Sequence, residues 1–125
     1  MDALFTFTSP TPDPASVDAF ANVAIMAPDN RGQLTALTPP TSGPISVNWK
    51  NTGANSIDTR ILGTNDLNAA DADCEIVVAS AAIAAGAMRH AQVNPAYYAY
   101  YRFQQKATAG GSQGATKLRG CQKRI

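Results

Sequence analysis

The sequence predicts an all-β fold, an antiparallel β-sandwich of immunoglobulin-like or jelly-roll type. Three observations predict it. From Ile45 onward, short runs alternate apolar and polar residues with period two, which gives each run one buried and one solvated face. Clusters of Pro, Gly, Asn, Asp and Ser punctuate these runs at short intervals, the spacing of a sandwich or barrel. The segment Tyr97–Thr108 concentrates aromatic residues, which have high strand propensity.

Taken in order, residues 1–8 alternate around Leu4, Phe5 and Phe7 and predict a short strand. Pro10, Pro12 and Pro14 follow at spacing two, which excludes helix and favours extended polyproline geometry. Residues 1–18 are therefore an extended strand or arm, ahead of a sandwich domain over 19–125. Two readings of this start stand side by side: a strand of the domain's own sheet, or an arm anchored on another subunit. Residues 19–27 fit strand or helix; with Pro28–Gly32 as a turn and Gln33–Thr38 as a second strand, a hairpin is the economical arrangement.

After the breakers Pro39–Pro44, Ile45–Lys50 alternates strictly, with Ile45, Val47 and Trp49 on one face. Ile57–Gly63 is the next strand, and Asp58 and Arg60 fall on one face of it, where they can pair. Cys74–Ser80 is more continuously apolar and so predicts a more buried strand. Ala81–Gly86 is too short for a helix and ends at a glycine. Met88–Val93 is a further strand. In Tyr97–Thr108, Tyr101, Phe103, Gln105 and Ala107 share one face, and Arg102, Gln104, Lys106 and Thr108 the other. A Gly-rich turn leads to a final strand over Ala115–Lys123, where Lys117, Arg119, Cys121 and Lys123 share a face. The predicted core is Trp49, Ile57, Ile61, Ile76, Val78, Tyr101, Phe103 and Leu118.

A chain of 125 residues fits one domain. Charged residues make up only 15%, against roughly 25% in ordinary soluble domains, so neutral, small-residue surfaces pressed against neighbours are expected. The net charge of +1 gives no reason to expect specific nucleic-acid binding. Charge is nonetheless uneven. Lys117, Arg119, Lys123 and Arg124 end the chain without an acid, whereas Asp2, Asp13, Asp18 and Asp29 precede any base. Such a basic end is either solvated or in contact with an acidic neighbour, head to tail. No charged and apolar leader segment opens the sequence, and no apolar run reaches the roughly 20 residues that span a bilayer. Synthesis in a cytoplasm and no membrane partner are the expectations.

Candidate chemistry is sparse. His90 is the one histidine, no serine sits in a nucleophile elbow, and Cys74 and Cys121 lack metal-ligand spacing. The acids Asp66, Asp71, Asp73 and Glu75 share a loop without the glycine and closing Glu of a calcium loop. Catalytic, metal and cofactor residues are therefore none, and the expected protein is not an enzyme. The two cysteines pair only if their strands are neighbours with suitable geometry. Tyr97, Tyr98 and Tyr100 stand out as an aromatic patch suited to a protein interface or a sugar platform. With Leu4, Phe5, Phe7, Lys117, Arg119, Lys123 and Arg124, they form the candidate interface set.

Two stretches, VNWKNTGANSIDTRILGTND (Val47–Asp66) and YYRFQQKATAGGSQGATKLRG (Tyr100–Gly120) with the closing Cys121–Arg124, resemble small structural proteins of tailed bacteriophages. The resemblance runs from Ile45 to Arg124 and lies in β-hairpin grammar. It implies a virion protein, foremost a capsid decoration or cement protein that stabilises the head by protein contacts. Its partners would be the major capsid protein or other virion subunits. It supplies no catalytic residues. The three-fold positions of icosahedral shells make a trimer the expected homo-oligomer. The alternative is a tail, neck or fibre module that binds host carbohydrate or another virion protein.

Overall fold

The computed structural model describes residues 3–8, 20–26, 44–93, 98–109 and 115–122. Eight strands lie among them: β1 (Ala3–Thr8), β2 (Ala21–Met26), β3 (Ile45–Asn51), β4 (Ile57–Thr64), β5 (Glu75–Ile83), β6 (Met88–Val93), β7 (Tyr100–Ala107) and β8 (Thr116–Gln122). A 3-10 turn, Asp71–Asp73, precedes β5. The predicted all-β class is what the chain adopts.

The strands form two antiparallel sheets of four, a first sheet in the order β1-β8-β3-β6 and a second in the order β2-β7-β4-β5. The pairs β1–β8, β2–β7, β3–β6 and β4–β5 are those of one long antiparallel ribbon folded at its middle. The remaining pairs, β3–β8 and β4–β7, close that ribbon into sheets. The N-terminal strand belongs to the domain's own sheet, with Leu4, Phe5 and Phe7 opposite Cys121, Gly120 and Leu118.

Between the sheets lies one core. The first sheet contributes Ile45, Val47, Trp49, Val93 and Leu118, and the second Ile61, Ile83, Tyr101 and Phe103. Strand alternation delivers these side chains inward, and each fully buried one adds about 2 kcal/mol of transfer free energy. Trp49 meets Phe103 edge to face at 6.3 Å, the arrangement the ring quadrupoles favour. Across the interior, the Thr116 hydroxyl donates to Gln105 Oε1, which satisfies two buried polar groups from opposite sheets.

At one end of the sandwich, Asn51 is fully buried and ties two turns together. Its Nδ2 donates to Asn55 O at 2.8 Å and to Ile83 O at 2.9 Å, while its Oδ1 accepts from Gly53 N at 2.9 Å. Its backbone N–H reaches Ala87 O, and its carbonyl accepts from Gly86 N. The turn Ala84–Ala87 closes with an Ala87 N to Ala84 O bond, and Gly86 stands at φ +76° in its third position. A type II turn requires that conformation of this residue, which glycine adopts without a Cβ penalty.

Three expectations need correction. The strand predicted over Cys74–Ser80 runs over Glu75–Ile83 and is largely exposed rather than buried. It is an edge strand, paired only with β4, so its apolar run covers one flank of the sheet instead of crossing the interior. Ile76 is accordingly 56% exposed and outside the core, and Val78 packs against the core only in part. Asp58 and Arg60 do not pair: Asp58 faces Lys106 at 3.9 Å and accepts from Thr108 Oγ1, while Arg60 donates to Gln104. The reason is the neighbouring strand, since β7 places Lys106 opposite Asp58 and Gln104 opposite Arg60. The second strand of the expected hairpin, Gln33–Thr38, lies outside the described residues, as does the proline segment.

Candidate functional site

Alternation leaves two outer faces, and their chemistry differs. On the first sheet, β3 turns Ser46, Asn48 and Lys50 outward. Register places Cys121, Arg119 and Lys117 of β8 on one side of them, and Gln92, His90 and Met88 of β6 on the other. Lys50, Lys117 and Arg119 are thereby assembled from two strands into one cationic surface without a carboxylate among its described residues. Open grooves run along both flanks of β3, one bordered by Arg119 and Cys121, the other by His90 and Gln92. A third lies between Lys50, Met88, Lys117 and Arg119. His90 Nδ1 and Asn48 Oδ1 are hydrogen-bonded at 2.6 Å, and Lys50 Nζ donates to Gly86 O at 2.7 Å. Arg119 is exposed, and fixed like charges on one low-charge face raise a local positive potential.

The outer face of the second sheet is covered. Here β7 presents Arg102, Gln104 and Lys106, and β4 presents Asp58, Arg60 and Leu62. The β4–β5 loop folds back over them. Arg102, 5% exposed, donates from Nη1 to Asp71 Oδ1 at 2.7 Å and from Nη2 to Leu67 O and Ala69 O. Gln104, 1% exposed, gives Nε2 to Asp71 Oδ2 at 2.9 Å and receives Arg60 Nε at Oε1 at 2.8 Å. Burial pushes the Asp71 carboxyl up, but hydrogen bonds from Gln104 and Arg102 and the charges of Arg102 and Arg60 outweigh it and hold the group below its ordinary value. The Arg60 guanidinium also lies over the Phe20 ring, 3.9 Å from its centre. Asp71 is the pin of this cover, and through it the largely exposed acidic loop is strapped to the sheet.

The tyrosines divide differently from the expected patch. Tyr101 is fully buried. Tyr98 is half-buried over Gly63, stands edge to face with Tyr101 at 6.3 Å, and donates its hydroxyl to Glu75. That hydrogen bond, with a smaller share from desolvation and the nearby negative charge, raises the Tyr98 hydroxyl above its ordinary value. Gly63 has no side chain because Tyr98 occupies the space: a Cβ there would sit 2.5 Å from its ring. Tyr98 is thus committed within its own chain. Tyr100 is half-buried at the start of β7, opposite Thr64.

Of the candidate interface residues, the structure gathers Lys117 and Arg119 on the cationic face and places Leu4, Phe5 and Phe7 on the adjoining strand β1. Tyr97, Lys123 and Arg124 lie outside the described residues. Lys50 and His90 belong to the same face but are absent from the candidate interface set; only the β3–β8 and β3–β6 registers bring them there. Cys74 and Cys121 are not bridged: one precedes β5 of the second sheet, the other lies in β8 of the first. Among the described residues no three His, Cys, Asp or Glu side chains gather as metal ligands.

No protein-family model and no curated protein matches this chain. Function therefore rests on the fold and on its two faces.

Proposed function

We propose that the chain is a structural virion subunit, a jelly roll that works through protein–protein contacts, foremost as a capsid decoration or cement protein. One observation carries the reading: the strand order β1-β8-β3-β6 against β2-β7-β4-β5. A ribbon of eight strands, paired first with last and rolled once, gives that order, which supports the double Greek key of a jelly roll over the immunoglobulin arrangement. Jelly rolls recur in viral shells and lectins. Two further features support the shell over the lectin. Tyr98 and Tyr101 are engaged inside the chain, so the aromatic platform a sugar site would use is reduced. The cationic face, which no other described segment crosses, offers a protein partner polar and charged groups along shallow grooves. The resemblance of Val47–Asp66 and Tyr100–Gly120 to tailed-phage structural proteins points the same way.

Quantitative mass spectrometry of purified particles from the phage that encodes the chain tests this reading, together with immunogold labelling of those particles. The expected result is a copy number stoichiometric with the shell protein and label spread over the head. Label confined to the tail tip would transfer the role to a fibre or neck module. Absence from particles would discard the virion reading altogether.

A further inference from the structure

We propose that the cationic outer face of the first sheet docks a second copy of this chain, which presents the acidic β4–β5 side of its own second sheet. The inference rests on the reading of the chain as an assembly subunit and adds the surface, the partner and the force.

Charge separation is the first ground. Lys50, Lys117 and Arg119 share one outer face, with no carboxylate among its described residues. All the carboxylates of the described residues, Asp58, Asp66, Asp71, Asp73 and Glu75, belong to the second sheet and its β4–β5 loop. Arg60, Arg102 and Lys106 share that side, but they face Asp71 and Asp58. Asp66, Asp73 and Glu75 are exposed and have no Lys or Arg partner among the described residues. Complementary potentials of this kind steer association and fix its orientation.

The second ground is the character of the cationic face. Surfaces that hold single-stranded nucleic acid interleave basic residues with aromatic rings on which bases stack. The outward residues of β3, β6 and β8 include no Phe, Tyr or Trp among the described residues. They offer short polar groups such as Ser46 and Asn48 beside the charges, a composition suited to carboxylates. Placement completes the case. The cationic residues belong to the first sheet and the free acids to the second sheet and its loop, so the contact is heterologous and each copy carries both halves of it.

Sedimentation velocity of the full chain reads the outcome. The expected mass rises with protein concentration at about 20 mM salt and returns to the monomer at about 0.5 M, where the Debye length is only a few ångströms. Two variants dissect the contact: Lys117→Gln/Arg119→Gln on the face, and Asp66→Asn/Asp73→Asn on the loop side. Lys50 and Glu75 are left intact because they hold Gly86 O and the Tyr98 hydroxyl. Each variant alone loses at least about tenfold in association constant. An equimolar mixture forms a one-to-one complex and nothing larger, because one matched pair of surfaces survives. Unchanged circular dichroism confirms that both variants fold.

A wild-type chain that stays monomeric at low salt overturns the proposal, as does a face variant that associates like the parent. Capture on heparin or an oligonucleotide that Lys117→Gln/Arg119→Gln abolishes, without self-association, overturns it in favour of a polyanion. Absence from particles removes the virion reading and leaves low-salt association intact. A monomer found in stoichiometric copy on particles does the reverse.

Discussion

On the outer face of the second sheet, Arg102 is 5% exposed and gives both terminal nitrogens to Asp71 and two loop carbonyls. On the outer face of the first sheet, Arg119 stands exposed with no carboxylate partner among the described residues. Both are outward arginines on interior strands of four-stranded sheets. What separates them is the segment that lands above. The β4–β5 loop crosses one face and carries its own carboxylate, Asp71, to meet the guanidinium; among the described residues, no segment crosses the other. A strand's alternation thus decides which side chains leave the core. Connecting loops decide which of them reach solvent.

Breaking the pin is the strongest way to erase this contrast. Asp71→Ala leaves the buried Arg102 guanidinium without its carboxylate and is expected to cost about 2 kcal/mol, the low end for a broken buried pair because Asp71 is itself partly exposed. Urea denaturation measures the loss, and limited proteolysis should cut within 65–74 faster than in the parent. An unchanged midpoint would mean that the loop is held by packing alone.

A smaller effect is expected from closing the notch under Tyr98. Gly63→Ala drives a methyl group into the ring, with an expected cost of about 1–2 kcal/mol. The Tyr98–Glu75 hydrogen bond should break with it, so the tyrosine titration seen by absorbance should move down toward that of free tyrosine. Gly86→Ala forces φ +76° on a residue with a Cβ and is expected to cost about 1 kcal/mol in a thermal melt.

Acid sharpens the same contrast. The Asp71 carboxyl is depressed in the folded state, so its contribution is full above the unfolded value of about 3.9 and is lost as pH falls through the folded value. Stability of the parent should drop in that acidic window, and Asp71→Asn should flatten this part of the profile. The smallest effect belongs to the open face: Lys117→Gln and Arg119→Gln should each leave stability within about 0.5 kcal/mol of the parent. A larger loss would mean that this face, too, is tied down.

Much of the fold was legible because period two is a property of consecutive residues. Ile45–Trp49 and Tyr101–Ala107 name their inward faces without reference to any partner, and both faces are observed as read. β5 was misjudged for the opposite reason. Its apolar run Ile76–Ala79 resembles a central strand, and edge position depends on which strands flank it. The same limit hid the site. Lys117 and Arg119 were visible as a basic run, but Lys50 and His90 join them through pairing between segments far apart in the chain. Asp71 resembled its acidic neighbours Asp66 and Asp73, and only the loop's path over β7 sets it apart. The tyrosine run overstated the exposed aromatic surface, because the space above Gly63 takes Tyr98 back into the fold.

The irregular pairing of β4 with β5 has a consequence of its own. Around Arg60 the ladder slips, and Ala79 and Ser80 have no opposite number in it. Arg89 reaches across from β6 and donates to the carbonyls of Thr59 and Ala79. A long uncharged border such as Ile76–Ile83 is a template for runaway strand addition between molecules. The slipped ladder bends that border, and Arg89 occupies one of its carbonyl oxygens. An irregular border of this kind is a poorer template for strand addition than a straight, fully laddered one.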